Sequence, residues 1–228
     1  MNGLWALVPL KRLAEAKQRL APALEPAPRM ELMLSMAADV LAALVQIEAV
    51  ERVLIVSEDP AAEQLALDAG VEWFQVPPGG GLNSDLEFAA AFAWEQGAGQ
   101  VLIVHADLPF LRPAELRRFI GNRSGKATHL AECKAGTGTN LLLTPLPLAF
   151  PLVFGSNSLT RFQRLLGKMA KVVRNSALSM DIDNPEDLDC LLMHEANASP
   201  PGPMTRAWAN KYRRLLLSCT RYERKGRL

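Results

Sequence analysis

The chain has 228 residues, of which 49% are hydrophobic, enough to fill the core of one ordinary domain without disulfide staples. The formal net charge is +1; no interleaving of basic and aromatic residues continues from the C-terminal tail into the domain, so nucleic acid is not an expected partner, and no apolar run approaches the roughly 20 residues of a membrane span. The N-terminus lacks the charged and apolar zones of a secretory signal, so the expectation is a cytoplasmic protein with no integral membrane segment.

Charge is unevenly spread. Residues 205–228 hold eight Lys or Arg against one Glu, which leaves the rest of the chain at −6. This tail is read as a separate electrostatic object. The three cysteines, Cys133, Cys190 and Cys219, match no zinc or redox spacing and are read as incidental thiols.

In chain order, Leu4 to Val8 read as a first buried strand, and Pro28 to Ile47 as a long helix with apolar residues at helical spacing. Residues 52–57, "RVLIVS", are a second strand; residues 60–70, "PAAEQLALDAG", are a helix opened by proline and closed by glycine. "VEWFQV" is a short strand, "PPGGGLN" a loop, and Ser84 to Gln96 an alanine-rich helix. "VLIVHAD", residues 101–107, is the fourth strand, Pro113 to Ile120 a helix, "ATHLAEC" and "TNLLLTP" two strands, and Pro185 to Glu195 the last helix of the body. Strand and helix alternate, which argues for an α/β fold with a mostly parallel sheet flanked by helices. "ANASPPGPM", residues 196–204, has a linker's composition, so the domain is drawn as 1–195 and the tail as 205–228. Trp208, Tyr212, Leu215, Leu216 and Cys219 fall at helical spacing, so the tail is read as a basic amphipathic helix. Its first-choice partner is the acidic body, with a second subunit, a neighbouring pathway enzyme or an anionic membrane surface as alternatives.

Ligands in open α/β sheets sit beyond the carboxyl ends of the parallel strands. After the first strand come Lys11, Arg12, Lys17 and Arg19, cations suited to phosphate oxygens. The "GGGLN" loop offers a close backbone approach at Gly81 and a donor-acceptor pair at Asn83. Asp107 ends a buried apolar strand, where a charge needs a partner or an ion; a hard cation such as magnesium is the natural candidate. His105 reads as a core or rim residue. In "DIDNPEDL", helix capping explains Asn184, Glu186 and Asp187 but leaves Asp181 and Asp183 over, of which one is expected to reach the common site. "GTGTN" and "FGSNS" are small-residue loops fit to hold a phosphate or carboxylate, and equally fit to be turns.

In this order "LVPLKRLAEAKQRL", "GLN", "ADLPFL", "GTGTNLLL", "FGSNS" and "DIDNPEDL" resemble the 2-phospho-L-lactate guanylyltransferase family of deazaflavin coenzyme biosynthesis, over roughly residues 3 to 193. The resemblance implies a Rossmann-like, GT-A-like nucleotidyltransferase fold using GTP and magnesium. It implies GMP transfer to a small phosphorylated carboxylic acid: 2-phospho-L-lactate, phosphoenolpyruvate or 3-phospho-D-glycerate. On this reading Asp107 and Asp183 hold magnesium, with Asp181 as second choice. Lys11, Lys17 and Arg19 bind triphosphate, Gly81 and Asn83 lie against the guanosine, and Thr139, Asn140, Gly155 and Ser158 hold the acceptor. The chain departs from the family pattern at Lys134 and Ala135, where relatives often carry an acid, and at Asn157 and Ser158. The alternatives are another member of the superfamily, of molybdopterin or sugar-phosphate type, and a non-catalytic nucleotide-binding scaffold.

Overall fold

The computed structural model describes residues 3–121, 127–193, 200–214 and 217. Seven strands form one sheet in the order β3-β2-β1-β4-β6-β5-β7. They are β1 (Gly3–Pro9), β2 (Val50–Ser57), β3 (Glu72–Gln75), β4 (Ala98–Val104), β5 (Thr128–Glu132), β6 (Thr139–Pro145) and β7 (Ala170–Val173). β6 runs against both its neighbours; all other pairings are parallel.

Alternation along β1 shows how the layers are specified. Leu4, Ala6 and Val8 face one core, and Trp5 and Leu7 face the other. The first core is covered by α1 (Pro26–Leu44), α2 (Ala61–Ala69) and α4 (Pro113–Gly121). The second is covered by α3 (Leu82–Glu95) and α5 (Ser158–Leu166). α6 (Ser176–Ser179) and α7 (Pro185–Met193) close the body, and α8 (Pro203–Lys211) returns to pack on α1. Among the described residues no helix is long and apolar enough to cross a membrane.

The fourth strand stops at Val104, three residues before the predicted end, because His105, Ala106 and Asp107 turn off the sheet toward its rim. α5, β7 and α6 have no counterpart in the sequence reading. Residues 200–204, read from composition as part of a linker, are docked: Pro201 is buried, the Gly202 amide donates to the Pro109 carbonyl at 2.8 Å, and Pro203 already begins a helix. Residues 194–199, and most of the tail beyond Arg214, with Leu215, Leu216 and Cys219, lie outside the described residues. Cys133 is a free thiol.

Candidate functional site

The reversed strand decides where the site forms. Because β6 is antiparallel to β4, its first residues lie at the carboxyl edge of β4, where the His105 amide donates to the Asn140 carbonyl at 3.1 Å. The segments after β1 and β4, the start of β6, the N-terminus of α5 and the approach to α7 therefore share one rim, around a cavity of about 1090 Å³. Lys11, Lys17, Arg19, Asp107, Thr139, Asn140, Gly155, Ser158, Asp181 and Asp183 all line it.

At its centre is an ammonium between two carboxylates. Lys17 Nζ donates to Asp107 Oδ2 at 2.5 Å and to Asp183 Oδ1 at 2.9 Å, with only 5% of its side chain exposed. Arg19, mostly exposed, reaches the other oxygen of Asp183 at 3.3 Å. Burial works against ionisation of both Asp107 and Lys17, and their mutual attraction overrides it. The Asp107 carboxyl thus sits below the usual carboxylate range and the Lys17 ammonium above the usual lysine range. Burial, then the charges of Asp107 and Asp183, push Asp181 the other way, above its ordinary value. Burial likewise lowers His105, which keeps that ring neutral near pH 7.

Local structure aims these groups. Lys17 adopts the left-handed region, φ 53°, ψ 40°, a strained choice for a lysine that turns its side chain back under the rim. Asn157, at φ 55°, does the same before α5, so both described non-glycine residues with positive φ belong to the cavity wall. The Asp107 carbonyl accepts from the Ile182 amide at 3.3 Å, which ties the two acid-bearing segments together. Asp187 takes the amides of Asp183 and Asn184 on one oxygen, at 3.0 and 3.1 Å, and Lys134 on the other at 3.0 Å.

One expectation is corrected, and three other residues are found already engaged within the protein. Asp181 and Asp183 both reach the cavity, because residues two apart share a face while Ile182 between them turns into the core. Asn83 is engaged with the backbone of Phe154, its amide nitrogen donating to the Phe154 carbonyl at 3.2 Å and its oxygen accepting the Phe154 amide at 2.8 Å, and it is not among the residues that line the cavity. Gly81 is extended at φ −151° and serves as the N-cap residue of α3, its amide donating to Ser84 Oγ, and Leu82 is the residue of that loop that lines the cavity. Asn140, buried, spends its amide on the Leu178 carbonyl at 3.1 Å and on Asp181 at 3.4 Å, so it holds the acid segment in place.

Sequence reasoning missed Lys134 as a site residue and gave Asp187 only a capping role. Both line the cavity. The signal for Asp187 was present in its position four after Asp183; nothing local signals its pairing with Lys134, 53 residues away in the chain.

Three polar atoms of described cavity-lining residues are buried with no hydrogen-bond partner: His105 Nε2, Asp107 Oδ1 and Thr139 Oγ1. Such atoms are costly unless a ligand meets them. Among the described residues no set of three or more His, Cys, Asp or Glu is arranged as a ready-made chelate. The donor set is instead two carboxylates gathered on one cation, hard oxygen ligands of the type divalent magnesium takes together with substrate phosphates. That donor set and the open oxygen of Asp107 fit such an ion.

A family model described as "Guanylyl transferase CofC like" matches residues 4–201. A phosphoenolpyruvate guanylyltransferase of Roseiflexus castenholzii is 40% identical over 188 residues, covering 81% of this chain and 86% of that protein. Its counterpart in Sphaerobacter thermophilus is 36% identical over 193 residues, covering 83% and 92%. Among solved structures, a putative nucleotide-diphospho-sugar transferase from Desulfovibrio desulfuricans superposes with a TM-score of 0.70 at 14% identity over 96% of this chain and 98% of that one. A nucleotidyl transferase from Methanothermobacter gives 0.64 at 20% identity over 87% and 100%. At these identities the two structures speak to the fold, a nucleotidyltransferase sheet flanked by helices.

Proposed function

The chain belongs to the CofC-like guanylyl transferase family and is a nucleotidyltransferase; from that premise we propose that it joins GMP from GTP to phosphoenolpyruvate, releasing pyrophosphate. An oxygen of the acceptor's phosphate attacks the α-phosphorus of GTP; the bond from that phosphorus to the bridging oxygen breaks, and pyrophosphate leaves with the electron pair. The acid ends linked to guanosine through a diphosphate. Such transfer asks the protein for position and charge neutralisation rather than for a covalent nucleophile.

The observation that carries the reading is the cluster of Lys17, Asp107 and Asp183 in a cavity whose lining also holds the unpartnered Thr139 hydroxyl. Asp107 and Asp183, with Asp181 beside them, are the residues to hold magnesium, which when bound supplies charge neutralisation to the phosphates. Lys17, Lys11 and Arg19 then face the triphosphate, offsetting charge that builds on departing pyrophosphate. Thr139, Gly155 and Ser158, which line the cavity at the start of β6 and at α5, are assigned in this reading to the acceptor's phosphate and carboxylate. The choice of phosphoenolpyruvate over 2-phospho-L-lactate and 3-phospho-D-glycerate is supported by the names of the relatives above, and a place in deazaflavin coenzyme biosynthesis follows from the same resemblance.

Incubation of the protein with GTP, magnesium and each acid in turn, with mass analysis of products, tests this. The expected result is a guanosine-diphosphate-linked adduct from phosphoenolpyruvate. Pyrophosphate release with another nucleoside triphosphate but not GTP, or none at all, overturns it.

A further inference from the structure

The chain's last described helix lies away from the cavity, yet its segment touches the Asp107 loop directly and reaches the Lys17 loop through the first turn of α1. On the Asp107 side, the Gly202 amide donates to the carbonyl of Pro109, two residues past Asp107, at 2.8 Å, and Arg112 Nη2 donates to the Pro200 carbonyl at 3.0 Å. On the Lys17 side, Trp208, almost fully buried, donates its indole N–H to the Pro28 carbonyl at 3.0 Å. The next residue, buried Arg29, donates to the Gln18 side chain at 3.1 Å, one position from Lys17.

Both arms are locked by one buried carboxylate in the middle of α1. Asp39 is 6% exposed and accepts the amides of Met204 at 3.0 Å and Thr205 at 2.8 Å, the first free donors of α8. The fit leaves no slack: a Cβ on Gly202 would fall 2.2 Å from the Asp39 carboxyl carbon. A buried charge satisfied wholly across helices is an expensive way to anchor a tail that merely needs to lie down.

We propose that residues 200–211 are a clasp that fixes the Asp107 loop and the Lys17 loop at one separation, with Asp39 as its positioning residue. The clasp rests on the reading of the Asp107 cavity as the reaction centre. Through it the C-terminal helix sets how far apart a carboxylate and an ammonium stand without itself entering the cavity.

Hydrogen exchange read by mass spectrometry on the full chain tests the clasp independently of turnover. In Asp39→Ala and in Gly202→Ala, peptides covering residues 105–111 and 12–20 should exchange at least about tenfold faster, while peptides of β2 and α2 hold the wild-type rate. Leu65→Ala, a buried residue of α2, serves as the control: it should lower the melting temperature without loosening those two peptides. Kinetics should follow: below their melting temperatures both clasp variants lose at least about fivefold in kcat per folded molecule, Leu65→Ala stays within about twofold, and Asp39→Asn, which keeps one acceptor oxygen, recovers part of the loss. Should Asp39→Ala fail to fold, Asp39→Asn reads the same two peptides. Wild-type exchange at residues 105–111 in the clasp variants refutes the clasp. Absence of turnover in the wild type refutes the guanylyl transfer reading and leaves the exchange result standing.

Discussion

Lys17 and Asp107 set the energetics of the cavity, because Lys17 is almost fully buried, Asp107 is partly so, and the ammonium is held by Asp107 together with Asp183. Lys17→Met strands the Asp107 charge and should cost about 3 kcal/mol in urea unfolding, whereas adding Asp107→Asn to it should recover much of that loss. The pH dependence has a definite sign. A carboxyl whose folded value is lowered contributes stability that is complete above its unfolded value and fades as pH falls through the lowered one. Wild type should therefore lose stability on acidification below about pH 4, and Asp107→Asn should flatten that limb of the curve. Asp181 has the opposite sign: its raised value means that its charge at neutral pH opposes folding. Asp181→Asn should raise the melting temperature of the ligand-free protein at pH 7 while reducing turnover, and an unchanged melting temperature would remove the argument that burial and the neighbouring acids penalise its charge.

At the level of elements, strands β1, β2 and β4 were legible because their apolar runs are bounded by turns and helices in plain alternation. The sheet's reversal at β6 was not, since "TNLLLTP" reads the same in either direction and only its pairing with β4 and β5 sets its sense. α5 was hidden because its helical pattern spans just nine residues behind the glycine of "FGSNS". The rim residues, by contrast, were mostly visible: charges and small polar residues that follow apolar strands have little else to do. Asn83 shows where that logic stops, because a loop amide that looks ligand-ready was committed to a backbone 71 residues away. Asn83→Ala should release the Phe154 segment at a cost of about 1–2 kcal/mol. The same variant should raise KM for the acceptor more than KM for GTP, since Gly155 follows Phe154 directly; a change in GTP alone would instead return Asn83 to the nucleotide.

For the whole molecule, the Lys17 ammonium between Asp107 and Asp183 means that the fold carries its own counter-charge. Chelation with EDTA should stop pyrophosphate release yet shift the melting temperature by no more than about 2 °C, in contrast to domains whose metal is part of their folding free energy. The Asp39 contact joins residues 165 apart, among the most distant pairings in the chain. Chain synthesis delivers Met204 after every strand of the sheet has emerged, and closing so wide a loop comes late because its entropy must be met before the contact rewards it. With the clasp as proposed, a nascent chain buries its sheet while its two charged loops are still unbraced, and competence for chemistry waits for residues 200–211 to dock.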